Sequence, residues 1–68
     1  MESKFMPMQW VVFKNGVGHG FGQIDGGSEA GDDKGWTYYI SNAAGERHYT
    51  ISESDIVRVL NNGVWATV

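Results

Sequence analysis

The sequence contains no cysteine, which removes disulfide staples and thiolate metal sites together. Basic residues are few: five Lys and Arg stand against eight Asp and Glu, for a formal net charge of −3. Lys4, Lys14, Lys34, Arg47 and Arg58 are scattered, and no two adjoin. Nucleic-acid binders draw much of their affinity from phosphate neutralisation and carry a basic face, so no nucleic-acid partner is expected. No apolar run approaches a membrane span, and Met1-Glu2-Ser3-Lys4-Phe5 lacks the apolar stretch of a signal peptide. No Asn-x-Ser/Thr acceptor occurs either. The expectation is a cytoplasmic protein with no membrane partner. A sustained helical period is missing as well, which excludes a helical bundle.

What is present is apolar and aromatic. Hydrophobic residues make up 41% of 68 residues, with three each of Trp, Tyr and Phe and ten glycines. That is the composition of one small globular domain rather than a disordered chain. So small a fold hides only about 60% of its unfolded surface, so apolar burial must be efficient. Glycines cut the chain into short segments rich in β-branched and aromatic residues, the pattern of antiparallel strands. Strands are expected over residues 8–14, 20–25, 36–41, 46–51, 56–60 and 64–68. Asn15-Gly16, Asn42-Ala43-Ala44-Gly45 and Asn61-Asn62-Gly63 supply turns. Residues 26–35 read as a surface loop on composition. Ser52-Glu53-Ser54-Asp55 reads as one helical turn, since short polar side chains there can bond backbone N–H groups. The fold class is therefore all-β: five to six short antiparallel strands and one 3-10 turn, curled into a small barrel that removes exposed edges. An OB-type barrel is disfavoured, because its interstrand helix has no room.

The order of loop, Trp strand, turn, strand, helical turn and β-branched strand resembles the second half of an SH3 domain. Asp33-Lys34-Gly35-Trp36 resembles the loop and tryptophan that open the third strand of that family. Gly45 to Ile51, followed by Ser52-Glu53-Ser54-Asp55-Ile56-Val57, resembles its glycine, strand, 3-10 turn and last strand. The likeness spans residues 32–60. It implies an SH3-like barrel over residues 8–68, preceded by a tail over 1–7. Ser52 stands where the family has a groove proline, and Asp55 where it has a groove tyrosine. Residues 1–20 lack its aromatic-acidic opening motif. Only Trp36 matches the ligand-contacting set, so the stacked aromatics that hold a polyproline helix are mostly missing. Plasmid-type, trimethoprim-insensitive dihydrofolate reductases are similar in size and barrel type. They are homotetramers with a Gln-Ile-Tyr run lining a shared pore, and the matching Tyr49-Thr50-Ile51 has neither amide nor phenol in place. That similarity implies an alternative function: a site for a small molecule of nucleotide or pterin type, binding or reducing it at an oligomer axis.

Chemical motifs are sparse. Gly16, Gly18, Gly20 and Gly22 alternate, yet they do not satisfy G-x-G-x-x-G, and Phe21 falls where the last glycine belongs. Gly26 to Gly31 has the gap of a phosphate loop, but Asp32 replaces its lysine. These glycines read as bulges and bends. His19 and His48 have no ligand-like spacing. Asp25, Glu29, Asp32 and Asp33 lack the alternation of a calcium loop, leaving a solvated charge run. No serine occupies a G-x-S-x-G elbow. No metal, cofactor or catalytic residue is expected, and the reading is a non-enzymatic protein-interaction module.

Its partners are read from the aromatics. Residues 8–14 are apolar on both faces, with Met8, Trp10 and Val12 alternating against Val11 and Phe13. A strand with one wet face should alternate. Either the Phe5-Met6 segment folds over the second face or another subunit does. Self-association as a homo-oligomer through Trp10 or Phe13 is expected. Tyr38 and Tyr39 are neighbours, so one of them points outward. A second surface is expected at Asp32, Asp33, Trp36 and Tyr39, where carboxylates beside an indole suit a basic protein partner.

Overall fold

A computed structural model describes residues 5–29 and 35–68. Six strands form one antiparallel sheet curled into a half-barrel: β1 Trp10–Asn15, β2 Gly18–Glu29, β3 Trp36–Asn42, β4 His48–Ser52, β5 Ile56–Asn61 and β6 Val64–Thr67. The spatial order is β4-β3-β2-β1-β5-β6. The expected 3-10 turn is η1, Glu53–Asp55. Ser52 precedes it without a side-chain capping bond, and the Ile56 N–H donates to the Glu53 carbonyl instead.

The curl comes from β2. Its first half pairs with β1, from Gly18 opposite Asn15 to Gln23 opposite Trp10. Its second half pairs with β3, from Gly22 opposite Asn42 to Glu29 opposite Trp36. A register shift between Ile24 and Gly26 leaves Asp25 as the extra residue of a bulge, which bends the strand and sharpens its twist. Residues 26–29 are thus strand and not loop. Their composition favours a turn, but the facing Trp36, Thr37, Tyr38 and Tyr39 have high β-propensity, and ladder pairing overrides the local preference. Residues 30–34, including Asp32 and Asp33, lie outside the described residues.

Two hairpins show why their turns close. Between β1 and β2 the turn falls on Gly16 and Val17, one residue later than expected, with Asn15 paired to Gly18. Gly16 has φ +66° while Val17 does not share that region, the arrangement that needs glycine at the first central position. Between β5 and β6, Asn62 (φ 51°) and Gly63 (φ 79°) are both left-handed, as a type I′ turn requires.

The core is Phe5, Val11, Phe13, Ile24, Tyr38, Ile40, Ile51, Ile56 and Val59, with Trp36, Tyr49 and Ala66 packed against it. Alternation puts Tyr38 and Ile40 inward on β3, opposite Ile51 and Tyr49 of β4. The expected hairpin is formed with the expected facing. The Tyr49 ring is half-buried and tilts against Phe13 at 5.2 Å. Tyr49→Ala should cost about 2 kcal/mol in chemical denaturation, below the ~3–5 kcal/mol of a fully buried ring.

Packed structure begins ahead of the expected boundary at Met8. Phe5 belongs to the core and meets Tyr38 edge-on at 5.2 Å. The Phe5 N–H donates to the Tyr38 hydroxyl at 3.3 Å. The Met8 N–H donates to the Ile24 carbonyl at 2.7 Å, so residues 5–8 are tied to the sheet rather than trailing from it. Among the described residues no helix is long and apolar enough to cross a membrane.

Candidate functional site: an outward aromatic face

The face of β1 turned away from the core carries Trp10 and Val12, while Val11 and Phe13 are buried. Parity along the neighbours fills out the same face. Phe21 of β2 and Arg58 of β5 both stand opposite Val12, and Trp65 of β6 stands opposite Leu60. Trp10 and Phe21 meet at 5.0 Å with a 55° tilt, and Phe21 and Trp65 meet edge-on at 5.6 Å. Both geometries suit aromatic quadrupoles. This is a second, smaller apolar layer, with Val12 and Leu60 half-buried within it. It is incompletely covered: Phe21 keeps 41% and Trp65 39% of its surface in contact with solvent.

The two-sided pattern of the first strand thus has a structural answer. One face joins the main core, to which Phe5 also belongs. The other is roofed in part by rings from β2 and β6. Phe13, expected with Trp10 at an interface, is fully buried and packs on its own chain's Tyr49. It has no surface to offer another copy, whereas Trp10 lies on the open face together with Phe21 and Trp65. Trp65 was not among the expected interface residues. Its signal is the alternation of Val64-Trp65-Ala66-Thr67, with Ala66 on the core side.

Charge is unevenly placed around this face. β1, β5 and β6 carry Lys14 and Arg58 and no acidic residue. Beyond the face, the sheet ends on two edge strands, β4 and β6. The β4 edge bears His48 and follows Glu46 and Arg47, whereas β6 has neither a charge nor a proline. Natural edges are usually guarded by one or the other.

The second expected surface is divided by the same alternation. Trp36 is half-buried, packs against the core and stacks on Tyr38 at 6.4 Å. Tyr39 points to the opposite face, is 45% exposed, and its hydroxyl lies 3.2 Å from Ser28 Oγ. Residues three apart on a strand cannot share a face, so the structure does not bring Trp36 and Tyr39 together.

One polar grouping was invisible in the sequence. The Asp25 bulge turns its carboxylate to Ser41, whose hydroxyl donates to it. Ser41 Oγ also lies 3.1 Å from His48 Nδ1, and that nitrogen lies 3.9 Å from Asp25 Oδ2. Ser41 and His48 face each other across β3 and β4. The composition is that of a hydrolytic triad, but the connectivity is not. A triad histidine sits between serine and aspartate and uses a different ring nitrogen for each. Here one nitrogen faces both partners, and the hydroxyl proton is committed to the carboxylate. His48 and Asp25 side chains are 73% and 51% exposed, so the cluster is a solvated surface tie. Ser41→Ala should cost no more than about 1 kcal/mol, measured by thermal or chemical unfolding. Among the described residues, no group of three or more His, Cys, Asp or Glu side chains could hold a metal ion.

Comparison with protein-family models, with curated proteins and with solved structures finds no match to this chain.

Proposed function

We propose that this chain is a non-enzymatic protein-interaction module built on a small SH3-like barrel, and that it self-associates through the outward aromatic face. The observation that carries the reading is the Trp10–Phe21–Trp65 ring cluster on the side of the sheet away from the core. A domain this small needs one core. A second apolar layer left open to water costs solubility unless something covers it. Aromatic side chains of this kind are also the residues enriched where proteins meet. The order of pairing, with β1 between β2 and β5, a long bent β2, and a 3-10 turn before β5, supports the SH3-like reading.

A basic partner fits the Asp32, Asp33, Trp36 and Tyr39 surface poorly, since Trp36 and Tyr39 lie on opposite faces. The aromatic face, bordered by Lys14 and Arg58, is the stronger candidate. Trp10→Lys and Phe21→Lys place an ammonium within the ring cluster and should each shift the chain to monomer in sedimentation velocity. Tyr39→Lys, on the other half of the sheet, should leave association unchanged. Equal behaviour of all three variants would refute the assignment to this face.

A further inference from the structure

We infer that two copies of this chain join by antiparallel pairing of their β6 edges about a two-fold axis at Ala66, a geometry that rests on the self-association proposed above. The backbone pattern of the β5–β6 hairpin points to it. With a two-residue turn at Asn62 and Gly63, Asn61 and Val64 form a hydrogen-bonded pair, and such pairs then alternate along the ladder. Val64 and Ala66 therefore direct their backbone groups toward β5. Val68 continues the series, its N–H donating to the Val57 carbonyl at 3.1 Å. Trp65 and Thr67 are left with N–H and C=O groups aimed at the open edge, since β6 is last in the sheet.

A second copy laid antiparallel on that edge is self-complementary. Trp65 of one copy pairs with Thr67 of the other, and the reverse, giving four backbone hydrogen bonds. Ala66 meets Ala66 across the axis as a non-hydrogen-bonded pair, in which Cα atoms approach to about 4.5 Å. A small side chain suits that approach. The same register sets Val64 opposite Val68, and these are 66% and 48% exposed. Both lie on the face of Ala66, so the most exposed apolar side chains of the edge would cover each other. The segment Asn62-Gly63-Val64-Trp65-Ala66-Thr67-Val68 brings no ionisable side chain to this contact. On the other face the Trp65 residues of the two copies are diagonal neighbours across the axis, within reach for aromatic side chains, so each ring covers part of the other's exposed surface. Each edge also fills the other's need for backbone partners, the recurrent mode of β-strand addition.

The chain has no cysteine, so a single introduced one reports the axis cleanly. Ala66→Cys should convert to a disulfide-linked dimer under mild oxidation, because the axis sets the two Cα atoms within disulfide range. Val17→Cys, on the fully exposed β1–β2 turn, should remain mostly monomeric under the same conditions. Thr67→Pro is the companion variant, since it deletes an edge-directed N–H without touching the β5 ladder. It should yield a folded monomer by sedimentation and circular dichroism. If the wild type dimerises while Ala66→Cys fails to cross-link and Thr67→Pro still dimerises, the edge geometry is wrong and self-association stands. A wild type that is monomeric at high micromolar concentration overturns both.

Discussion

Phe13→Ala should lower stability by about 3–5 kcal/mol, the range for deleting a fully buried aromatic ring. A domain of this length holds in total about 3–10 kcal/mol, so at the lower end of that range most of the population would be unfolded at room temperature. The position explains the size of the effect. Phe13 has no exposure at all, faces the β5 bulge through its pairing with Ile56, and supports Tyr49 from β4. It therefore ties the β1–β5 half of the sheet to the β3–β4 half. It also presses on Gly20, where a Cβ would stand 2.5 Å from the ring. Urea denaturation of the variant beside the wild type measures the loss. A cost under about 1 kcal/mol would place the ring outside the core and restore it as an interface residue.

Gly22→Ala should be nearly as damaging for the opposite reason. A Cβ at Gly22 would run into the Ser41 carbonyl oxygen and stand 2.6 Å from Ile40 Cγ2. The first of these neighbours is backbone in the adjacent strand, which cannot turn aside as a flexible side chain can. Overpacking of this kind costs about 1–3 kcal/mol, and separation of β2 from β3 at the curl puts this site at the upper end. Gly18→Ala is the control, since a methyl group there would meet nothing within 4 Å. It should change the denaturation midpoint little. Equal tolerance at both sites would mean that β2 and β3 do not approach as described.

Both variants bear on what the sequence made legible. The alternating glycines read as bulges and bends rather than as a phosphate loop, because the spacing failed the phosphate pattern and no helix follows. In the structure the β2 bulge falls at Asp25 instead, Gly16 lies in the turn, and Gly20 and Gly22 are positions of close approach. The β3–β4 hairpin was plain, since Trp36 to Ile40 combines high β-propensity with a turn-forming Asn42 to Gly45. Asn42 Oδ1 accepts from the Glu46 and Arg47 N–H groups at 2.9 and 3.2 Å, which is the side-chain role expected of such a residue.

Other features depend on register, which local pattern does not carry. Residues 8–14 are apolar at both parities, so nothing within them says whether Trp10 or Phe13 enters the core. The pairing of Val11 with Val59 decides it. Phe21 and Trp65 lie far apart in sequence, and only the sheet order brings them over one face. The Asp25–Ser41–His48 cluster arises from a bulge combined with a cross-strand pair. The second half of β2 was hidden by its Gly-Gly-Ser-Glu composition, whose strand state comes from β3 and not from its own propensity.

The most direct test of the account is the mass of the unmodified chain in solution, by sedimentation equilibrium over a concentration series up to the high micromolar range. The chain mass is 7.5 kDa. The account predicts a concentration-dependent rise toward twice that value, reversed by Trp10→Lys. A mass that stays at the single-chain value throughout would contradict it, and the aromatic face would then have no second copy to cover it.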